Sequence, residues 1–426
     1  MADFPVKWFS SYMGGSTILG DNTAGDFISL LKACLITGFN TKPVTELSFD
    51  SSTGVATAEL GSGHGFLKAQ VISVSGADQA EYNGEWRVTG ISSTSVKYSP
   101  DISPSVAVAT GSLIEVKAAP QGQWEVAAED AASNKLALRS IASYATDHVL
   151  VVTNDGMTGP TGTENFSHME CVSNFVDIET YDVECDLYWP VSHGGFSDSE
   201  TEGADNPDWL LVADGGAMFF IPTYTRRNRR SCMVAGLIKS VRPGDAHNFI
   251  LNGVPISGRW NTTNQNCLSD FASGVTTDFV TVRPNGYKDS NGPAYRQLAR
   301  ANSQMPGATT WGMLLMGEQF SAYDPDEDER GDTAITFPNP ADNGFYVASN
   351  ELPVIEPGCV RGTMPGVVQP LNGSPAYIGE VVTDLPSFDG EPVIFWTAAA
   401  WQYNASSGTP YQMFDKMIGF RLDGWR

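Results

Sequence analysis

Between Gly61 and Pro100 three short runs alternate apolar and polar side chains: Ala69-Gln70-Val71-Ile72-Ser73-Val74, Glu85-Trp86-Arg87-Val88-Thr89 and Ser95-Val96-Lys97-Tyr98. Successive side chains on a strand point to opposite faces, so the alternation predicts half-buried β-strands. Turn-forming residues separate the runs: Gly63-His64-Gly65 before the first, Ser75-Gly76-Ala77-Asp78 after it, and Tyr82-Asn83-Gly84 before the second. Asn and Gly both tolerate positive φ, so Asn83-Gly84 reads as the seed of a tight turn. Val55 to Leu60 reads as the first strand of the same unit, and Ser112 to Lys117 as its last. Together they predict a small β-sandwich-like module over residues 47–118.

One stretch has a helical period instead. Phe27, Leu30, Leu31, Cys34 and Leu35 fall at i, i+3, i+4, i+7 and i+8, a single apolar stripe over Asp26 to Thr37. Asp26 is placed to cap its start and Gly38 to end it in a left-handed conformation. A lone helix ahead of so many strand-like runs is expected to pack across a sheet. Beyond the module, His148 to Val152 reads as a strand ending at the turn Asn154-Asp155-Gly156. Trp209 to Ala213 and Ala217 to Ile221 flank Asp214-Gly215-Gly216 as a hairpin, and are too apolar for edge strands. Met233 to Ile238, Phe279 to Val282, Trp311 to Met316 and Val393 to Trp396 continue the series, and Met417 to Arg426 reads as a final strand.

The pattern therefore gives a mainly β chain, a globular β-sandwich or barrel domain with a small inserted β-module and one N-terminal helix. Its expected divisions are 1–46, an N-terminal segment whose helix packs on the main domain; 47–118, the module; 119–345, the main β domain; and 346–426, a C-terminal β region. With 43 Gly, 25 Pro and only 17% charged residues, the 426-residue chain is turn-rich and long enough for a substantial core.

Charge narrows the partners. A formal net charge of −24 repels phosphate backbones, so nucleic acid is not an expected partner. No apolar run reaches the roughly 20 residues of a membrane-spanning helix, and the first residues lack a secretory pattern. The six cysteines (Cys34, Cys171, Cys185, Cys232, Cys267 and Cys359) are scattered without a Cys-x-x-Cys pair, which favours buried free thiols made in a reducing cytoplasm.

A resemblance adds a context. His64-Gly65-Phe66, a short strand, Ser75-Gly76-Ala77, then Tyr82-Asn83-Gly84-Glu85-Trp86-Arg87-Val88-Thr89 resembles small β-modules carried by tail and baseplate proteins of tailed bacteriophages. Val6 to Ser11, Leu30 to Phe39, Gln123-Trp124-Glu125 and Trp209 to Gly215 are similar to uncharacterised tail-associated proteins of phages and prophages. The likeness covers roughly the first half of the chain. It implies a virion protein of the tail tip, baseplate or fibre assembly, synthesised in the bacterial host cytoplasm, docking neighbouring tail subunits as a homo-oligomer. It implies no catalytic residues. A receptor-binding protein for a host surface glycan is the alternative, followed by a glycan-cleaving tail enzyme or a capsid decoration protein.

Candidate sites are few. Asp324, Asp326 and Asp328 share the spacing of the first ligands in a calcium loop, but Glu329 stands where that loop needs Gly and Ile335 where it needs a carboxylate. A solvated acidic loop is the expectation and no cofactor is required, calcium being the one this run could hold. Arg226, Arg227, Arg229 and Arg230 concentrate positive charge on an acidic chain and are the candidate interface residues. Trp396, Trp401 and Tyr403 are candidates for stacking on a sugar ring, against core packing. No histidine has metal-ligand spacing and no nucleophile elbow is present, so an enzyme is not expected. His64 is expected to bond backbone in its turn.

Overall fold

The computed structural model describes residues 4–19, 23–158, 165–192, 208–222 and 232–251, then the segments 299–300, 314–315, 347, 351, 353–356, 359–368, 379–385, 388–397, 402–403, 410–411 and 417–426. The first elements are β1 (Lys7–Ser10), α1 (Asp26–Lys32), β2 (Phe39–Pro43), β3 (Glu46–Asp50), β4 (Val55–Glu59), β5 (Val71–Ser75), β6 (Gly84–Ile91), β7 (Ser95–Tyr98) and β8 (Glu115–Ala118). They are followed by β9 (Trp124–Asp130), β10 (Lys135–Ser140), β11 (Val149–Thr158), β12 (Asn165–Asp177) and β13 (Thr180–Ser192). Next come β14 (Trp209–Ala213), β15 (Ala217–Pro222), β16 (Met233–Leu237), β17 (Lys239–Ser240) and β18 (Phe249–Leu251). Every strand pairing among the described residues is antiparallel, and a sandwich rather than a barrel is the class that fits.

Two sheets form the body. One runs β1-β14-β15-β16-β18 and on to Ala299–Arg300; the other runs β13-β12-β11-β10-β9. Leu136, Leu138, Leu150, Val152, Met169, Leu187 and Trp189 from the second sheet share one buried cluster with Leu211, Phe219, Phe220 and Val234 from the first. The helix is wedged between them. Its Phe27 ring lies 4.9 Å from Phe220 and 6.1 Å from Trp189, so its apolar stripe meets both sheets at once. Each such side chain, fully withdrawn from water, stabilises by about 1.5–3 kcal/mol. The hairpin β14–β15 forms as its sequence predicts, with the Asp214 carboxylate accepting the N–H groups of Gly216 (2.7 Å) and Ala217 (2.6 Å).

The helix differs from expectation at both ends. Its α-helical part stops at Lys32 and Ala33–Thr37 continue as a π-helical turn, which Gly38 ends with φ 72° and an N–H to Ala33 O of 2.9 Å. A Cβ on Gly38 would meet the Ala118 carbonyl oxygen, so the terminator is fixed by close approach as well as by conformation. Asp26 does not cap the start. Asn154 does so from β11: its buried Oδ1 accepts the N–H groups of Gly25 (2.9 Å) and Phe27 (3.3 Å). The expected turn at Asn154-Asp155-Gly156 is instead absorbed into β11, whose register shifts between Thr153 and Met157. An Asn that binds another element this way is not free to begin a turn.

The second unit is the module. Its strands run β2-β8-β5-β6-β7-β4-β3, beginning at Phe39, before the expected first strand. β6 serves both halves, pairing β5 on one side and β7 on the other, while the chain steps from β2 to β3 through Val44-Thr45. Leu47, Phe49, Ile72, Val74, Trp86, Val88, Val96, Tyr98 and Val116 form a core separate from that of the body. Asn83-Gly84 does not make a tight turn. Gly84 opens β6, and the Asn83 amide folds back to bond the N–H (3.0 Å) and the carbonyl (2.7 Å) of Ala77, bracing a longer loop.

The C-terminal strand forms but stops at Arg421, short of the expected Arg426. Met417–Arg421 lies between Val367–Val368 and Val393–Thr397, with Val381–Val382 outside the latter. Ile394, Trp396, Ile418 and Phe420 face the body core, while Val393 and Phe395 face a small cluster on the other side.

Candidate functional site

The junction between module and body carries a set of specific polar contacts. It begins with β1, the edge strand of the larger body sheet. An edge strand normally leaves one side to water, yet Lys7, Trp8, Phe9 and Ser10 are all buried because the module lies against them. Trp8 Nε1 donates to the Ala69 carbonyl of the module at 3.2 Å. Lys7 is 2% exposed, and its ammonium bonds Glu85 on β6 (2.6 Å) and the Pro120 carbonyl (2.5 Å). A buried ammonium is costly unless paired and hydrogen-bonded, and here it has both.

Two residues further along β6, Arg87 bonds Asp423 (2.6 Å) and the Leu422 carbonyl (3.1 Å), tying the module to the segment after the last strand. Burial pulls the Arg87 guanidinium below its ordinary range while Asp423 opposes that shift. Arg87 also sits 5.2 Å above the Phe4 ring. A third contact is purely backbone. Gly14 N–H donates to Gly65 O at 2.7 Å, and a Cβ on Gly65 (φ 71°) would lie 2.5 Å from Gly14 Cα. Only Gly at both positions lets the two loops touch.

On the module, the loop Ser99–Ile114 displays Ile102, Val106, Val108 and Leu113, which are 41–76% exposed. Its own hydrogen bonds hold it to the module: Phe49 N–H to Ala107 O (2.7 Å), Ala109 N–H to Leu47 O (2.8 Å) and Tyr82 OH to Val106 O (2.8 Å). These bonds cover the free edge of β3 and give the loop a fixed shape while its apolar side chains stay in solvent. His64 behaves as its turn predicts, with Nδ1 accepting the Phe66 N–H (3.1 Å) and Nε2 beside Ser92 O (2.9 Å).

Titratable groups also gather away from the junction. On the outer face of the smaller body sheet, His168 Nε2 lies 3.3 Å from Asp186, Tyr181 OH donates to Glu170 (3.1 Å), and the His168 ring stacks on Tyr188 at 4.7 Å. The His168 hydrogen bond holds the Asp186 carboxyl below the usual carboxylate range. Near the C-terminus, Asp214 is 1% exposed and meets Arg426 Nε (2.8 Å) and Tyr144 OH (3.3 Å). Burial, with Asp214 adding to it, pushes the Tyr144 phenol up. The first group joins β12 to β13 through side-chain hydrogen bonds, and the second joins Asp214 to Arg426 through an ion pair. A cleft of about 440 Å³ beside α1 is likewise bridged, by Lys32 and Glu129 at 2.7 Å.

The site residues expected from sequence fare differently. Trp396 is a correction: it is 1% exposed, packs into the body core and meets Tyr12 at 5.5 Å, so it offers no face to a sugar. Strand alternation explains this, since Ile394 and Trp396 share the inward face of their strand. Arg226, Arg227, Arg229, Arg230, Asp324, Asp326, Asp328, Trp401 and the Tyr403 side chain lie outside the described residues. Cys34, Cys171, Cys185 and Cys232 are buried, and none of the four is in a disulfide. Lys7, Arg87, Asp423, Asn154 and the Gly14–Gly65 contact were missed. The one available signal was a charge inside an otherwise apolar run, as in Val6-Lys7-Trp8-Phe9.

Among the described residues no helix is long and apolar enough to cross a membrane, and no group of three or more His, Cys, Asp or Glu is placed to hold a metal ion. No protein-family model matches the sequence, and no curated protein matches it.

Proposed function

We propose that this chain is a structural protein of a tailed-phage virion, in the tail tip, baseplate or fibre assembly. It docks neighbouring subunits and holds its β-module in a fixed orientation for them. The observation that carries the reading is the locked junction: a buried lysine, an arginine clamp and a glycine–glycine contact fix the module to the body. A tethered module needs none of these. A part that transmits position between subunits does, because a hinge at this point would lose the geometry its neighbours need. The shaped apolar loop Ser99–Ile114 supplies a face for the apolar surface of a neighbouring virion subunit. The glycan-receptor alternative loses Trp396 as a stacking residue.

The test is incorporation. Tagged chain is expressed in infected host cells and virions are purified by gradient sedimentation. The wild type is expected to co-sediment with particles and to be visible in the tail by cryo-electron microscopy. Leu113→Asp, whose side chain is exposed in the isolated chain, is expected to fold yet be depleted from particles at least tenfold. Absence of the wild type from particles, or equal incorporation of the variant, would overturn the reading.

A further inference from the structure

Cys171 on β12 and Cys185 on β13 are directly opposite each other in the register of the two strands. Both side chains are fully buried and both belong to the body core, and burial, with the neighbouring Cys185 adding to it, raises the Cys171 thiol. Residues directly opposed in an antiparallel pair hold their Cβ atoms about 4.5–5.5 Å apart, against about 3.5–4.5 Å in a disulfide. The two thiols therefore stand within a small local pinch of bonding range. Cys34, in the π-helical turn that follows α1, is raised by burial alone.

We propose that Cys171 and Cys185 are a redox-active dithiol that closes to a cross-strand disulfide by exchange with a low-molecular-weight disulfide. The balance is that of two successive exchanges. The thiolate of one cysteine attacks oxidised glutathione, forming a mixed disulfide and releasing one glutathione thiolate. The second cysteine then loses its proton to solvent and attacks the protein sulfur of that mixed disulfide. The protein S–S bond forms and the second glutathione leaves as thiolate, so two thiols are oxidised and one glutathione disulfide is reduced.

Location decides the rate. Among the described residues β13 ends its sheet, with no strand paired to its other side, and the register shifts beside Cys171 and Cys185, between Cys171↔Cys185 and Val172↔Val183. Such an edge, interrupted by a bulge, is where a sheet opens locally. Burial holds the Cys171 thiol up, so exchange waits for that opening and is slow in the closed protein. Once closed, the bond fastens the long β12–β13 hairpin across its middle. It is a lock suited to a protein that is assembled in reducing surroundings and later meets oxidising ones.

The experiment uses the full native chain, incubated with oxidised glutathione and then alkylated in denaturant and digested. The expected result is a peptide pair joined through Cys171 and Cys185, lighter by two hydrogens, returning to the free thiols on reduction. Amide exchange along β13 is expected to slow at least tenfold in the oxidised protein. Mapping locates the reacting sulfurs, so oxidation at Cys267 or Cys359 is not mistaken for the lock. A persistent glutathione adduct on Cys171 or Cys185, a Cys171 or Cys185 disulfide to another cysteine, or both thiols surviving after urea has opened β13, would overturn the proposal.

Discussion

The body and the module are both antiparallel sandwiches, yet they are held together by different means. The body depends on bulk: β14 and β15 are buried at every residue, and Phe27, Trp189, Phe219 and Phe220 fill the space between two sheets and a helix. The module has a thinner core, with alanines at Ala56 and Ala58 on β4, and it supplements that core with side chains that bond its own irregular backbone. Asn83 braces one loop, His64 another, and Tyr82, Trp86 and Tyr98 are joined through the Tyr82 carbonyl, with Trp86 stacked on Tyr98 at 5.6 Å. Hydrophobic burial is non-directional and tolerates repacking, whereas such bonds specify one shape. The body gives the platform its stability. The module is built to keep a particular surface.

The sharpest way to break this comparison is to cut one aromatic from each core. Phe219→Ala removes a fully buried ring that meets Phe420 at 5.0 Å and Trp425 at 5.4 Å, and is expected to cost about 3–5 kcal/mol. Because β1 and the junction rest on that body, module and body amides are both expected to lose protection in hydrogen-exchange mass spectrometry. Trp86→Ala is expected to cost as much locally while leaving β14–β16 protected. If Trp86→Ala exposed the body strands equally, the two cores would be one cooperative unit and the contrast would fail.

The same contrast explains what was legible in the sequence. The body strands announced themselves, since Trp209-Leu210-Leu211-Val212-Ala213 can satisfy its side chains only in an interior, and its hairpin and the helix stripe were placed closely. The module strands were also legible, because alternation survives wherever one face is buried. The failures fall where a polar side chain serves backbone beyond its own turn. Asn83-Gly84 and Asn154-Asp155-Gly156 are turn signals on local grounds, but each Asn is spent on other backbone, Ala77 across its own loop in one case and Gly25 of the helix start in the other. The junction was illegible for the same reason: Lys7 and Glu85 lie 78 residues apart, and nothing local links them. Trp396 misled because aromatic residues among small polar ones look alike whether they face solvent or a core.

Ion pairs sharpen the comparison next. Arg361 and Asp245 in the body are 4% and 5% exposed and meet at 2.6 Å; at the junction Arg87 is 16% exposed but its partner Asp423 is 43% exposed. Arg361→Ala removes the charge partner of a buried carboxylate and leaves it only the Ser240 hydroxyl and the His247 N–H, and is expected to cost about 3 kcal/mol. Arg87→Ala leaves Asp423 to water, so its expected cost is about 1 kcal/mol, mostly lost bonds to the Leu422 and Ala69 carbonyls. Urea denaturation of both variants checks the ratio. The Arg87 variant carries a second readout, faster exchange in β1, because loosening the module exposes that strand. Equal losses from the two variants would mean that the junction is as dry as the body interior.

The smallest effect is one of pH and belongs to the body's outer face. His168 holds the Asp186 carboxyl below its ordinary value, so the folded protein binds that proton less readily than the unfolded chain does. The stabilisation is therefore complete above the unfolded value of about 4 and is lost as pH falls through the lower folded value. Asp186 is 44% exposed, and solvent screening limits the contribution to about a few tenths of a kcal/mol. Asp186→Asn is expected to lower stability slightly at pH 6 and to match the wild type at the acid end of an unfolding series. The module supplies the control: Asp50 is also held down, by the Ser52 hydroxyl and amide and by Thr53, but it is fully exposed and bonds its own turn. If Asp186→Asn left the acid limb unchanged while Asp50→Asn shifted it, the acid sensitivity would lie in the module's turns, and the body's outer face would carry no charge-dependent stability of its own.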